Sequence, residues 1–267
     1  MASLLHACLK YYKIFNDEWS YPQVKDFFMM GSPFPTTFLA IFYLLVIYKI
    51  GPTFMKNRKP FNINKLLIFY NIAQIMFNGF LLTMALYHLY IPMRYNLLCQ
   101  EVEQGDSPLD QFVRRMSWVY FMNKIMDLLD TVFFILKKKT SQITFLHVYH
   151  HTGMIFLGYA GVKYVPGGHS ILLGTINSFV HMIMYSYYLT SLLRQDNKHS
   201  VWWKKHLTQL QMVQFVLVML HHSSPLLMPN CNYPRFISFT VVVQNVFAMF
   251  MFGDFYRKAY LKPKKVE

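Results

Sequence analysis

Three histidines crowd one short stretch of the chain. His147, His150 and His151 lie in the segment QITFLHVYHH, residues 142–151. Residues three and four positions apart share one face of a helix, so this spacing predicts that the three imidazoles lie side by side. An imidazole can act as a nucleophile, as a general base or as a metal ligand. The segment is therefore the first candidate site.

The chain around these histidines is apolar enough to lie in a membrane. Of 267 residues, 54% are hydrophobic, 18% are aromatic and only 14% are charged, a composition far more apolar than that of a soluble domain. Apolar stretches that suit membrane-spanning helices recur seven times, at residues 34–50, 66–90, 113–136, 144–162, 171–193, 207–227 and 236–256. We expect an all-α integral membrane protein with seven transmembrane helices.

The basic residues predict the orientation of those helices. They concentrate in the segments that share one side, including Lys56, Arg58 and Lys59, and the positive-inside rule makes that side cytosolic. We therefore expect one polytopic domain over residues 1–267: a luminal N-terminal segment 1–33, a helical bundle 34–256 and a cytosolic basic tail 257–267. The net charge of +14 then reflects topology, so nucleic acid is not a predicted partner.

Two further features agree with this orientation. Lys264 and Lys265 near the end of the chain resemble the cytosolic dilysine signal that returns membrane proteins to the endoplasmic reticulum. Cys99 and Cys231 both fall in predicted luminal loops, where an oxidising compartment permits a disulfide between them. Two free thiols remain the alternative, because sequence alone does not show that the loops meet.

Other polar residues lie at a similar predicted depth on three further helices. Ionisable groups inside a bilayer are costly, so they mark a functional hypothesis by default. Lys124 and Asp127 are three residues apart and can pair on one helix face that Thr131 continues, although a buried ion pair that only orients helices is equally compatible. The full set of these additional candidates is Lys124, Asp127, Asp130, Asn177, His181 and Gln211.

Three functions remain compatible with these side chains. HxxHH is a histidine pattern of membrane di-iron desaturases and hydroxylases, but two irons need several such boxes and this chain has one, so we expect no metal site. The second function is acyl transfer, in which an imidazole attacks a thioester or acts as a base, and nearby donors stabilise the oxyanion. A seven-helix lipid transporter is the third, and it would need a polar path through the whole bilayer.

Four segments in order match a known family. They are KIMDLLDT at 124–131, QITFLHVYHH at 142–151, NSFVHMIMYSYY at 177–188 and TQLQMVQF at 208–215. On these motifs the chain resembles, along essentially its whole length, the ELO-type fatty acid elongases, the membrane 3-ketoacyl-CoA synthases of the endoplasmic reticulum. One departure is Asp127, where the family motif usually has Glu.

The resemblance implies a reaction and its partners. A long-chain acyl-CoA would condense with malonyl-CoA to give a 3-ketoacyl-CoA two carbons longer, carbon dioxide and free CoA. The helical bundle would surround an acyl-chain tunnel that is closed at the luminal end. No cofactor is implied, because the reductases and the dehydratase of the elongation cycle are separate enzymes and possible membrane partners. The resemblance leaves a homo-oligomer open.

The resemblance also implies roles for the residues. His150, activated by His147 or His151, would form an acyl-imidazole, and in a competing scheme histidine is only a base in a ternary complex. His181, with Asn177 and Gln211, would stabilise the enolate and oxyanion charges, and Lys124, Asp127 and Asp130 would orient the histidines. The CoA phosphates and nucleotide would contact some of a set that contains Lys137, Lys138, Lys139, Tyr187, Arg194, Lys204, Lys205, Arg257 and Lys258.

Overall fold

The computed structural model describes residues 2–194 and 200–261. Within these residues the chain is helical and has no β-strand. Its α-helices are α1 (Ala2–Lys13), α2 (Phe34–Leu45), α3 (Gly51–Met55), α4 (Asn64–Ala85), α5 (Pro108–Met126), α6 (Leu129–Leu136), α7 (Phe145–Tyr164), α8 (Ile171–Leu193), α9 (Ser200–Leu227) and α10 (Arg235–Tyr256). The predicted dilysine signal, Lys264 and Lys265, lies outside the described residues.

Among the described residues, four helical segments are long and apolar enough to cross a membrane: Phe34–Met55, Asn64–Tyr90, Trp202–Leu227 and Arg235–Leu261. Large apolar side chains stay exposed along them, such as Phe69 at 71% and Phe250 at 73%, which suits contact with lipid rather than water. The all-α membrane class is therefore confirmed. The other three predicted spans are also helical, but the seven-span count stays a prediction.

The sequence predicts one continuous helix over residues 113–136, the third span. The structure contradicts this prediction, because the helix is interrupted. α5 ends at Met126 and α6 begins at Leu129. Between them the backbone tightens, because Leu128 N–H donates to the Ile125 carbonyl and Thr131 N–H donates to the Leu128 carbonyl, each at 3.2 Å. These bonds span three residues rather than four, as in a 3₁₀ turn. The tightened turn changes which way Thr131 faces relative to Lys124.

The described chain divides into two compact units. Unit 1 comprises residues up to 62 and residues 102–167, and it contains α1, α2, α3, α5, α6 and α7. Its core includes Tyr43, Ile135 and Ile155. α5 packs on α7 at Gly158, where an added Cβ would lie 2.9 Å from the Phe121 ring. A larger residue there would separate the two helices.

Unit 2 comprises residues 63–101 and those from 168 onward. In it α4 packs against α8, and α9 packs against α10. A disulfide joins Cys99, after α4, to Cys231, before α10, which confirms the predicted bond. Beside it, the Asn232 side chain donates to Glu101 at 2.9 Å. Disulfides persist in oxidising compartments, so this end of unit 2 has the chemistry expected of a lumen-facing surface.

Candidate functional site

The three predicted histidines lie together at the start of α7. The Thr144 hydroxyl caps this helix by accepting from the His147 N–H at 3.2 Å, so the histidines occupy its first two turns. Ring centroids are 4.3 Å apart for His147 and His151 and 5.5 Å apart for His150 and His151. We call these three residues the α7 histidine face. All three side chains are partly accessible, as a reacting group must be.

A buried ion pair lies in the same unit as the α7 histidine face. Lys124 Nζ is 2.8 Å from Asp127 Oδ2, and their side chains are only 2% and 3% exposed. Both charges act electrostatically on His150. Asp127 caps the C-terminal end of α5, at the tightened turn. The Lys124–Asp127 pairing that the spacing predicts is therefore present, and the shorter carboxylate does not prevent it.

Thr131 connects the ion-pair segment to the α7 histidine face. Its hydroxyl is 2.7 Å from His147 Nε2 and 2.8 Å from the Tyr43 hydroxyl. Asp130 lies one residue earlier, in the first turn of α6, where the helix dipole favours a carboxylate. Sequence reasoning missed Tyr43, because its neighbours in α2, residues 39–42 and 44–45, are all apolar and no polar periodicity marks it.

The remaining predicted catalytic residues lie together in unit 2. Asn177 and His181 are one turn apart on α8 and are 4% and 8% exposed. The His181 ring lies 5.9 Å from the Tyr185 ring. Gln211 on α9 donates a weak 3.9 Å contact to the Met184 sulfur on α8. The structure thus gathers these predicted residues on the facing helices α8 and α9.

A polar network on α4 was not predicted. The Tyr185 hydroxyl is 3.4 Å from that of Tyr70, which accepts from the Gln74 amide at 3.1 Å. Asn78 then donates to the Gln74 carbonyl at 2.8 Å. Asn71, Gln74 and Asn78 recur at positions i, i+3 and i+7 and are all buried. That periodicity was visible in the sequence and could have revealed this network.

The lysine run 137–139 has a structural explanation of its own. It ends α6, with Lys138 at φ 53° and the Lys139 N–H donating to the Phe134 carbonyl at 2.8 Å. Cations at a helix C-terminus favourably oppose the helix dipole. Burial lowers the pKa of Lys137, and the nearby Lys139 charge lowers it further. A bound anion would relieve this repulsion, and a phosphate contact by the run stays a prediction.

The other predicted CoA-binding residues lie in unit 2. Arg194 follows α8 as its C-cap, while Lys204 and Lys205 lie in the second turn of α9. Arg257 and Lys258 pair with Asp254 at 3.0 and 2.5 Å, so an anion would compete with that carboxylate. The Tyr187 ring lies 5.8 Å from the Tyr188 ring. A CoA contact by any of these residues stays a prediction.

The arrangement of ligand-type side chains bears on the di-iron alternative. Across residues 2–194 and 200–261, no three or more His, Cys, Asp or Glu side chains are grouped so that they could hold a metal ion. A di-iron centre needs several such ligands around each iron. In the α7 histidine face, the Thr131 hydroxyl contacts His147, and the Lys124 and Asp127 charges act on His150.

Comparison with known proteins identifies the family. Residues 28–267 match the model of the ELO family, described as GNS1/SUR4. A very long chain fatty acid elongase of Aedes aegypti is 39% identical over 94% of this chain and 70% of its own length. Very long chain fatty acid elongase 7 of Drosophila melanogaster is 37% identical over 95% and 79%, and human elongase 4 is 37% identical over 91% and 76%. The chain belongs to the ELO family.

Proposed function

We propose that the protein is a fatty acid elongase that condenses a long-chain acyl-CoA with malonyl-CoA, giving a 3-ketoacyl-CoA two carbons longer. The observation that carries this proposal is the α7 histidine face, which lies in the same unit as the buried Lys124–Asp127 pair in a chain of the ELO family. Family membership also favours this activity over the oxygenase and transporter alternatives, because the elongase name recurs among its relatives.

In the first stage of the reaction, His150 attacks the acyl thioester carbonyl. A C–N bond forms, the C–S bond breaks, and CoA leaves as a thiol after taking up a proton. His147 or His151 receives the proton that His150 loses. The paired charges of Lys124 and Asp127 lie within electrostatic reach of His150, so they contribute to the field in which charge develops.

In the second stage, malonyl-CoA loses carbon dioxide and its enolate carbon attacks the acyl-imidazole. A C–C bond forms, the C–N bond breaks, and the departing imidazolate takes up a proton from water to restore the imidazole of His150. The enolate and oxyanion charges need donors, and we assign this role to Asn177, His181 and Gln211. The competing scheme, in which histidine is only a base while both substrates are bound, differs by having no acylated enzyme.

The membrane setting follows from the same reaction. We propose seven spans around an acyl-chain tunnel that is closed on the luminal side, with the N-terminus in the lumen of the endoplasmic reticulum and the C-terminus in the cytosol. The Cys99–Cys231 disulfide supports a luminal assignment for the loops that it joins, since disulfides form in oxidising compartments. The CoA groups would then remain at the cytosolic side, near basic residues such as Lys137.

The test is a condensation assay on the detergent-purified protein. Acyl-CoAs of increasing chain length are incubated with radiolabelled malonyl-CoA and without NADPH, and the metal content of the preparation is recorded. We expect labelled 3-ketoacyl product and equimolar carbon dioxide from metal-free protein. An acyl group on the protein that hydroxylamine releases would identify the two-stage scheme. Absence of condensation with every acyl-CoA would overturn the proposal.

A further inference from the structure

The hydroxyl of Thr131 has two neighbours and only one hydrogen to donate. It lies 2.7 Å from His147 Nε2 and 2.8 Å from the Tyr43 hydroxyl. Thr131 is fully buried and Tyr43 is 4% exposed, so water does not satisfy either hydroxyl in their place. The direction of the two hydrogen bonds therefore determines where the hydrogens lie.

Thr131 makes no competing bond to its own helix. Several other helical hydroxyls donate to the carbonyl four residues earlier, as Thr175 does to Ile171 at 2.8 Å and Ser117 does to Val113 at 3.0 Å. Thr131 follows the tightened turn, where its N–H bonds three residues back, and its hydroxyl contacts Tyr43 and His147 instead. The unusual turn thus frees this hydroxyl to act between helices α2, α6 and α7.

Only one direction satisfies both hydroxyls. If His147 Nε2 donated to Thr131, either Thr131 would donate to Tyr43 and leave the Tyr43 hydrogen without an acceptor, or Thr131 would accept from both neighbours and leave its own hydrogen without one. If Tyr43 donates to Thr131 and Thr131 donates to His147, both hydroxyl hydrogens have acceptors. His147 Nε2 is then unprotonated, and its hydrogen is on Nδ1.

We propose that Tyr43, acting through Thr131, holds His147 as the Nδ1–H tautomer, so that His147 serves as a positioned hydrogen-bond donor and not as the base that activates His150. Protonation of His147 at Nε2 would reverse the Thr131–His147 bond and leave one of the two buried hydroxyl hydrogens without an acceptor. The base assignment that was open between His147 and His151 therefore falls to His151. Tyr43 and Thr131 are positioning residues. This inference rests on the proposed condensation reaction.

The kinetic test uses variants that remove one hydroxyl at a time. Thr131→Val keeps the shape of the side chain, and we expect kcat to fall about tenfold while KM for acyl-CoA stays unchanged. Thr131→Ser keeps the hydroxyl and should restore kcat to within about threefold of the original protein. Tyr43→Phe should lower kcat less, and the double variant should be no slower than Thr131→Val, because Tyr43 acts through Thr131.

A matched control is available in the same unit. Tyr159 is also buried, and its hydroxyl has no hydrogen-bond partner among the described residues. Tyr159→Phe should therefore leave kcat unchanged. A fall in kcat equal to that of Tyr43→Phe would show a general packing effect and would overturn the inference. Equal losses in Thr131→Ser and Thr131→Val would do the same.

The tautomer of His147 can be determined directly by NMR. Histidine-labelled protein in liposomes is studied by ¹⁵N solid-state NMR, and the His147 signals are assigned by their loss in His147→Gln. We expect an Nδ1–H signature in the original protein and in Thr131→Ser, and a mixture of tautomers in Thr131→Val. An Nε2–H signature in the original protein would overturn the inference. If the original protein condenses no acyl-CoA, the proposed function fails, whereas active protein with the wrong tautomer contradicts only this inference.

Discussion

Two histidine groups in this molecule have opposite surroundings. The α7 histidine face in unit 1 is partly accessible and is held by Thr131. The second group, in unit 2, contains His169, His221 and His222, and we call it the buried histidine cluster. The rings of His169 and His221 stack with centroids 3.6 Å apart and planes at 4°. In this cluster His169 is 1% exposed and His222 is fully buried.

The two groups also differ in their hydrogen bonds. In the buried histidine cluster, His169 Nε2 donates to the His221 carbonyl at 2.8 Å, but the Nδ1 atoms of all three residues and Nε2 of His222 have no hydrogen-bond partner within residues 2–194 and 200–261. A buried imidazole without partners is costly to protonate. In the α7 histidine face, by contrast, the Thr131 hydroxyl contacts the His147 ring at 2.7 Å. A group of neighbouring histidines therefore does not by itself indicate a reactive site. A reactive group also needs solvent or substrate access and hydrogen-bond partners that orient its rings, whereas a histidine group without them has a packing role.

The largest expected effect contrasts one residue from each group. His150→Ala should lower condensation by about a thousandfold or more, because it removes the nucleophile. His221→Phe keeps a ring to stack on His169 and should leave the rate within about twofold. Initial rates with labelled malonyl-CoA measure both, and the melting temperature reports folding. Near-normal turnover in His150→Ala would contradict the assignment of the reactive histidine to the α7 histidine face.

The next effect concerns the ion pair near the α7 histidine face. Asp127→Asn removes the carboxylate that pairs with the buried Lys124 charge and should lower the free energy of unfolding by about 3–5 kcal/mol. Asp127→Glu keeps the charge and should cost much less. Thermal unfolding in detergent measures both variants. If Asp127→Asn has the same melting temperature as the original protein, the ion pair does not stabilise the fold as we infer.

The disulfide offers the corresponding test in unit 2. Replacing Cys99 and Cys231 by Ser should lower the free energy of unfolding by about 2–5 kcal/mol, since the bond closes a long loop. Cys8→Ser, which alters a free exposed cysteine, is the matched control and should have no effect. Turnover per folded molecule should stay unchanged in all of these variants. If the variant lost much of its turnover but kept its stability, this end of unit 2 would contribute to catalysis, and the prediction would be wrong.

The smallest expected effect is the pH dependence of the buried histidine cluster. Burial lowers the pKa of His169 below its ordinary value of 6.5, although its bond to the His221 carbonyl opposes this shift in part. The unfolded chain then binds a proton more readily than the folded one, so stability should fall as pH drops below 6.5 and level off below the folded pKa. Melting temperatures from pH 7.5 to 5 should show this fall, and His169→Phe should reduce it. An unchanged slope in that variant would contradict the assignment.

Local patterns in the sequence predicted much of this protein. Composition alone indicates a membrane protein, because a soluble core cannot bury so much apolar surface. The helical period predicts the grouping of His147, His150 and His151 and the pairing of Lys124 with Asp127, since residues three or four apart must share a helix face. The predicted topology placed Cys99 and Cys231 in loops on the same side of the membrane, so that a bond was permitted, but it did not show that the loops meet. Each of these inferences uses short-range geometry or composition.

Tertiary structure decided which of these faces meet. Tyr43 and Thr131 are 88 residues apart, and no periodicity connects them. The contact between His169 and His221 spans 52 residues and depends in the same way on how the helices pack. The tightened turn before Thr131 also escaped prediction, because the local sequence reads as one continuous helix. A helix face is encoded by spacing along the chain, whereas the identity of its neighbour is set by the packing of all the helices together.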